Sequence, residues 1–191
     1  MRFGDGSVMR LYRQTVEDFS LYSGQELTEK EFTDLKTAAG AMSAKMRAVR
    51  IVAATAVSKQ DLEHRLIAKG ENPMQAHDAV QWMSDLNLVD DKQVAEQIVQ
   101  RCIQKGYGLG RAKQALYEKR IPKVYWVDAL DAYPDQTEAI VHYLRTHLNE
   151  NADMRDKKRA IDALIRKGHS YGVIRRAMEM LSFNTEDFPE D

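Results

Sequence analysis

Six consecutive residues, Gly106, Tyr107, Gly108, Leu109, Gly110 and Arg111, hold the densest run of groups that could bind an anion. Alternating glycines that end on an arginine can present backbone N–H groups to a phosphate. The run lacks the spacing of a P-loop, however, and a dinucleotide fingerprint needs a strand before it. Here Val94, Ile98, Val99 and Cys102 recur at helical spacing ahead of the glycines. The run therefore reads as a tight helix-to-helix turn, with Tyr107 exposed or packed over it. Cations surround it: Arg101, Lys105, Arg111, Lys113, Lys119, Arg120 and Lys123. Such groups neutralise phosphates and attract anionic partners. The bland reading is a solvated face with helical ion pairs, and Lys158, Asp162 and Arg166 at four-residue steps suit that reading.

Other chemistry is thin. The histidines are His64, His77, His142, His147 and His169. None forms an i, i+4 pair with a partnering carboxylate, as helical metal sites require. No metal and no cofactor is expected. Cys102 has no evident base beside it and lies in an apolar stripe with Val99 and Ile103, so an inert buried thiol is expected. No nucleophile set stands out, and the chain is expected not to be an enzyme. One cysteine excludes an internal disulfide and suggests a reducing cytosol, hence a cytoplasmic protein. No apolar run approaches the ~18 residues of a membrane span, and residues 1–10 carry no apolar signal core. No membrane partner is expected.

The elements that must position these groups are helical. Thr28 and Glu31 form a capping box ahead of Phe32 and Leu35. Residues 8–22 are ambiguous, with Val8, Arg10 and Tyr12 suggesting a short strand. Met42, Met46 and Val49 mark a helix beginning near Ala41. Ser58 starts another that stops at Gly70, and Asn72 with Pro73 opens a third. The order recurs. Asp90 or Asp91 caps a helix ending at Gly106, a second ends near Arg120, and Pro122 opens a third through Trp126 and Tyr133. Ile140 to Leu148 lie on the next helix, Asp153 starts one ending at Gly168, and Ser170 starts the last.

Three frames align without gaps. Leu66, Lys69 and Gly70 match Leu116, Lys119 and Arg120, and then Leu164, Lys167 and Gly168. Nine residues beyond the last of each stand Ala79, Ala129 and Ala177, followed by Val80, Leu130 and Met178. The chain divides into an N-terminal extension with one helix (1–40), three-helix repeats over 41–90, 91–136 and 137–182, and an acidic tail (183–191). Each unit is too small to bury a core alone, so neighbours should stack. Arg120 stands where a helix-ending glycine would serve best. A left-handed cap there costs roughly 1 kcal/mol more than with glycine. A differently built loop is expected, the alternative being an arginine kept for contact.

The net charge of −1 conceals an asymmetry. Residues 137–182 hold nine Lys/Arg against six Asp/Glu, residues 91–136 eight against six, and residues 41–90 six of each. The first forty residues and the tail (Glu186, Asp187, Glu190, Asp191) are acidic.

The sequence resembles the RecX family, bacterial regulators of the RecA recombinase, over about residues 24–182. Four segments carry the resemblance: Ser58, Asp61, Leu62, Leu66, Lys69 and Gly70; Leu88 to Asp91; Arg101, Gly106, Tyr107, Gly108 and Arg111; and Leu116 with Lys119. The resemblance implies an all-α protein of three tandem three-helix repeats in an elongated, curved arrangement. It implies binding in the groove of the RecA–DNA filament, mainly to inhibit strand exchange, ATP turnover and co-protease activity, in DNA repair, homologous recombination and the SOS response. No cofactor is implied, and a monomer is expected. Arg101, Tyr107 and Arg111 match motif positions, and Lys105, Lys113, Lys119 and Arg120 surround them. Arg159 occupies the third-repeat position equivalent to Arg111. Arg120 departs from the glycine common in the family. The near-neutral charge points to weak binding of single- or double-stranded DNA alone. The alternative class is a direct nucleic-acid-binding helical-repeat protein, since each unit has the size used by helix-turn-helix proteins.

Overall fold

A computed structural model describes residues 1–148 and 152–181. The acidic tail lies outside the described residues. Among those described there are ten α-helices and no strand, as an all-α protein requires. They are α1 (Arg13–Asp18), α2 (Glu29–Ala54), α3 (Lys59–Ala68), α4 (Pro73–Asp85), α5 (Asp91–Gln104), α6 (Leu109–Glu118), α7 (Trp126–Asp131), α8 (Thr137–His147), α9 (Met154–Arg166) and α10 (Tyr171–Met180). No described helix is long and apolar enough to cross a membrane. The chain forms two compact units, Met1–Asp90 and Asp91–Asp191.

Unit 1 starts with one isolated antiparallel bridge, Arg2 to Val8, in place of the strand suggested at Val8, Arg10 and Tyr12. Residues 13–18 are instead helical, and Phe3 packs edge-on against Phe32 at 5.2 Å. The capping box forms as read: Glu31 N–H donates to Thr28 Oγ1 at 3.2 Å and Thr28 N–H to Glu31 Oε2 at 2.8 Å. The helix it starts does not stop before Ala41. α2 is continuous for 26 residues. The only weak point, Gly40, is flanked by alanines, which are strong helix formers, and its bare Cα makes room for the Gln75 side chain. Ser58 and Asn72 cap α3 and α4. Leu62, Leu66, Ala76, Ala79 and Met83 close a core with Ala44 and Ala48 of α2.

Unit 2 holds two further apolar clusters. One joins Val94, Ala95, Val99, Leu116, Ile121 and Ala129, and the other Ile140, Leu144, Leu164, Ile174, Ala177 and Met178. Pro122 opens a 3-10 turn, Lys123–Tyr125, before a six-residue α7, rather than one continuous helix. Pro122 itself is extended (ψ 136°), and no side chain caps the turn. Trp126 Nε1–H donates to the Ile121 carbonyl at 3.0 Å, which anchors the turn where that cap is missing. The α9 ladder suggested by Lys158, Asp162 and Arg166 is absent. Arg159 instead faces Asp156, at 3.7 Å.

The turns after α3, α6 and α9 share one construction, and this corrects the expectation at Arg120. Gly70 and Gly168 have φ +88°, and Arg120 has φ +52°. Arg120 N–H donates to Tyr117 O and Ile121 N–H to Leu116 O, at 2.9 and 3.0 Å. Gly70 and Glu71 make the same two bonds to Ile67 and Leu66, and Gly168 and His169 to Ile165 and Leu164. This is the Schellman ending. At Arg120 it holds despite the missing glycine because it also buries Ile121 (4% exposed) against Leu116 (0%). Apolar burial of that kind is worth about 1.5–3 kcal/mol per side chain, more than the strain.

Candidate partner-binding surface around the central glycine turn

The glycine run is a seam. Gly106 (φ +63°) ends α5, with Tyr107 N–H donating to Cys102 O at 3.0 Å. Gly108 then caps α6. Its N–H donates to Lys167 O at 2.8 Å, and that of Gly110 to Gly168 O at 3.0 Å. A Cβ on Gly108 would collide with the backbone of Gly168 and His169, and one on Gly168 with the backbone of Arg111. The start of α6 and the turn after α9 therefore touch backbone to backbone. Arg111 N–H is also committed, to Gly108 O at 3.0 Å. The amides that a phosphate loop would offer are spent on carbonyls, which is the physical ground for rejecting that reading.

Two side chains close the seam. Tyr133 Oη–H donates to Tyr107 O at 2.6 Å, and burial, with Cys102 nearby, pushes its phenol up to about 12. His169 Nε2–H donates to Gly106 O at 3.2 Å. Burial lowers the pKa of His169, the bond to Gly106 opposes that shift, and Lys167 adds to it. Tyr107 itself is half-buried. Neither Tyr133 nor His169 stood out in the sequence. The usable signal was Gly168, which the alignment of the three frames places at the turn after α9.

The cations fall into groups. Arg101, Lys105 and Arg111 lie near enough to Cys102 for their charges to act on its thiol. Burial raises the pKa of the thiol, while Arg111, Lys105 and Arg101, in that order, pull it down. The thiol is buried, as expected. Arg111 is half-buried, and its guanidinium is held by its own helix: Nη1 donates to Gln114 Oε1 at 2.9 Å and lies 3.9 Å from Glu118. Arg101, Lys105 and Lys113 are exposed, and none makes an ion pair among the described residues. Lys113 lines a cleft of about 540 Å3 with Leu109, Gly110, Tyr133 and His169. Lys119 and Arg120, both half-buried, stand at the far end of α6, about 15 Å from its start by helical rise. Nothing joins Arg159 to this cluster: its side chain is 80% exposed and faces Asp156. Among the described residues, no group of His, Cys, Asp and Glu could hold a metal.

Fold and surface together define a class: an all-helical protein in which α3, α6 and α9 end in the same turn, with exposed cations around a glycine seam. No protein-family model matches the chain. It is 26% identical to the regulatory protein RecX of Clostridioides difficile (strain 630), over 96% of this chain and 89% of that one. It is 28% identical to the regulatory protein RecX of Xanthomonas axonopodis pv. citri (strain 306), over 74% and 87%. A crystal structure of regulatory protein RecX superposes with a TM-score of 0.69 at 21% identity, covering 94% of this chain and 92% of that one. A crystal structure of RecX from Lactobacillus salivarius gives 0.67 at 22%, covering 76% and 98%. The structural likenesses establish the helical fold, and the sequence relatives share the name regulatory protein RecX.

Proposed function

We propose that this chain is a regulatory protein that binds the RecA–DNA filament and restrains its recombinase, ATPase and co-protease activities. The observation that carries the reading is that Arg101, Lys105 and Arg111 flank the turn between α5 and α6, with Arg101 and Lys105 exposed and in no ion pair among the described residues. Unpaired cations on a rigid seam suit an anionic partner, since little ordering remains to be done on binding. The name shared by the sequence relatives, regulatory protein RecX, supports a regulator. The reading includes a cytoplasmic monomer without cofactor or catalytic activity. With a net charge of −1, naked DNA is bound weakly, and the filament supplies the rest of the affinity.

Co-sedimentation with RecA filaments on single-stranded DNA tests this, with naked DNA and free RecA as controls. The protein pellets mainly with filament and lowers filament ATP turnover. Arg101→Ala/Arg111→Ala loses about 2–4 kcal/mol of binding if both cations are desolvated against the partner. Arg101 is exposed and the Arg111 guanidinium contacts only its own helix, so unfolding midpoints stay near wild type. Unchanged ATP turnover at excess protein would sink the reading. Equal pelleting with naked DNA, with steep salt dependence, would favour a direct nucleic-acid binder instead. The same exposed cations make that the second reading.

A further inference from the structure

Among the described residues of unit 2, Tyr117 is the aromatic side chain left exposed. It stands on α6 with 74% of its surface exposed. α6 buries Ala112 and Leu116, and Tyr117 lies off that face. Among the described residues its ring has no hydrogen bond, ring contact or cation contact. The equivalent positions on α3 and α9 carry Ile67 and Ile165, exposed at 41% and 46%. Only the middle copy presents a flat aromatic ring, and it is the most exposed of the three.

Its helical neighbours are specific. Gly110, Lys113 and Tyr117 lie in one row at i, i+3 and i+7. Lys113 is exposed and makes no ion pair. Gly110 faces the Gly168 backbone at the seam, so the row offers solvent an ammonium and then a ring. The acid next to Tyr117, Glu118, already accepts from Gln114 Nε2 at 2.9 Å and faces Arg111. A ring face beside an unpaired cation is the pairing that single-stranded nucleic acids use, with a base on the ring and a phosphate on the cation. A duplex offers no free base face to stack on such a ring.

We propose that Tyr117 and Lys113 form a stacking platform for single-stranded nucleic acid. This deepens the filament reading and rests on it for the strand supplied. It names the strand, rather than filament protein, as the partner of this row of α6.

The test uses the full chain as wild type, Tyr117→Ala, Tyr117→Phe and Lys113→Ala. Fluorescence anisotropy at low salt follows an oligo-dT of about 20 nucleotides, longer than one binding module covers, and a duplex of equal length. Tyr117→Ala weakens oligo-dT binding about tenfold, the size of one lost base stack, with its salt slope unchanged. Tyr117→Phe keeps wild-type affinity, the duplex is insensitive to the ring, and Lys113→Ala lowers the salt slope by about one. Wild-type affinity in Tyr117→Ala overturns the platform. So does equal loss on duplex, loss in Tyr117→Phe as large as in Tyr117→Ala, or no binding of oligo-dT by the wild type. Filament co-sedimentation of the same proteins separates the two claims. If the wild type pellets with filament while Tyr117→Ala binds oligo-dT normally and loses filament, the ring contacts protein: the platform fails and the filament reading stands. If oligo-dT binding depends on the ring but the wild type ignores filaments, the filament reading fails alone.

Discussion

The middle helices α3 and α6 follow the same plan and differ at almost every position that meets solvent. Leu66 and Leu116 are both fully buried, and Ala79 and Ala129 occupy matching places on the helices that follow. Both helices end in the same left-handed turn, one on Gly70 and one on Arg120. Yet Glu63 of α3 becomes Lys113 on α6, and Ile67, exposed, becomes Tyr117. α9 repeats the plan with Leu164, Gly168, Arg159 and Ile165. Packing fixes the positions that touch neighbours, because a core has no spare volume. The outward positions are released from that demand, and there the copies diverge in charge and shape. Divergence on a shared frame is where partner choice is written.

The largest expected effect comes from forcing the frame at equivalent glycines. Gly70 and Gly168 have the same φ of +88°. A Cβ at Gly70 meets nothing within 4 Å, whereas one at Gly168 meets the backbone of Arg111. Gly70→Ala should cost about 1–2 kcal/mol, the strain of the left-handed region alone. Gly168→Ala adds a clash that no side-chain rotation can relieve, for a total of about 2–5 kcal/mol. Urea denaturation followed by circular dichroism measures both. Equal losses would mean that the seam between α6 and the turn after α9 is looser than its two hydrogen bonds imply.

How much of this was legible in the sequence follows from the same division. The buried positions announced themselves by period, and the caps at Thr28, Ser58, Asn72 and Asp153 by residue type, because both are local rules. The seam at Gly108, Gly110 and Gly168 was not legible. It is made by residues about sixty apart, and bare glycine looks the same whether it serves a turn or a neighbour. The break expected before Ala41 failed because one glycine among alanines is too weak to end a helix that α4 packs against. The strand suggested at Val8 reduces to one bridge because no third strand is there to pair with it. Among the site residues, Arg101, Lys105 and Arg111 are brought together, while Arg159 stands apart. Equivalence between repeats fixes a register, not a location.

The middle effect concerns the residue after each turn: Glu71, Ile121 and His169. Only His169 sits on the seam, with its Nε2–H on Gly106 O and Lys167 nearby. Its burial lowers its pKa below the ordinary 6.5, so the unfolded chain takes up this proton before the folded one does. The stability it contributes is complete above about pH 6.5 and is lost as pH falls from there through the lower folded value. Midpoints measured from pH 7.5 down to pH 5 should therefore fall, by less than Gly168→Ala costs at neutral pH. His169→Gln keeps a donor for Gly106 and removes the titration, so it should flatten that part of the profile. A slope that survives His169→Gln would assign the acid sensitivity to other groups.

The smallest effect has the opposite sign and sharpens the comparison most. Arg120 holds a left-handed turn that glycine holds in the other two copies. Arg120→Gly relieves about 1 kcal/mol of backbone strain, while the freer unfolded chain takes back a few tenths. The variant should be more stable than wild type by about 0.5 kcal/mol, read as a higher urea midpoint at unchanged slope. Its filament binding is the decisive second reading. If stability rises and binding falls, the arginine is retained for contact against the preference of its own backbone. If stability rises and binding is unchanged, Arg120 leaves the list of partner-binding residues, and the strain at this turn has no functional return. A fall in stability would show that the arginine side chain supports the fold through its own contacts.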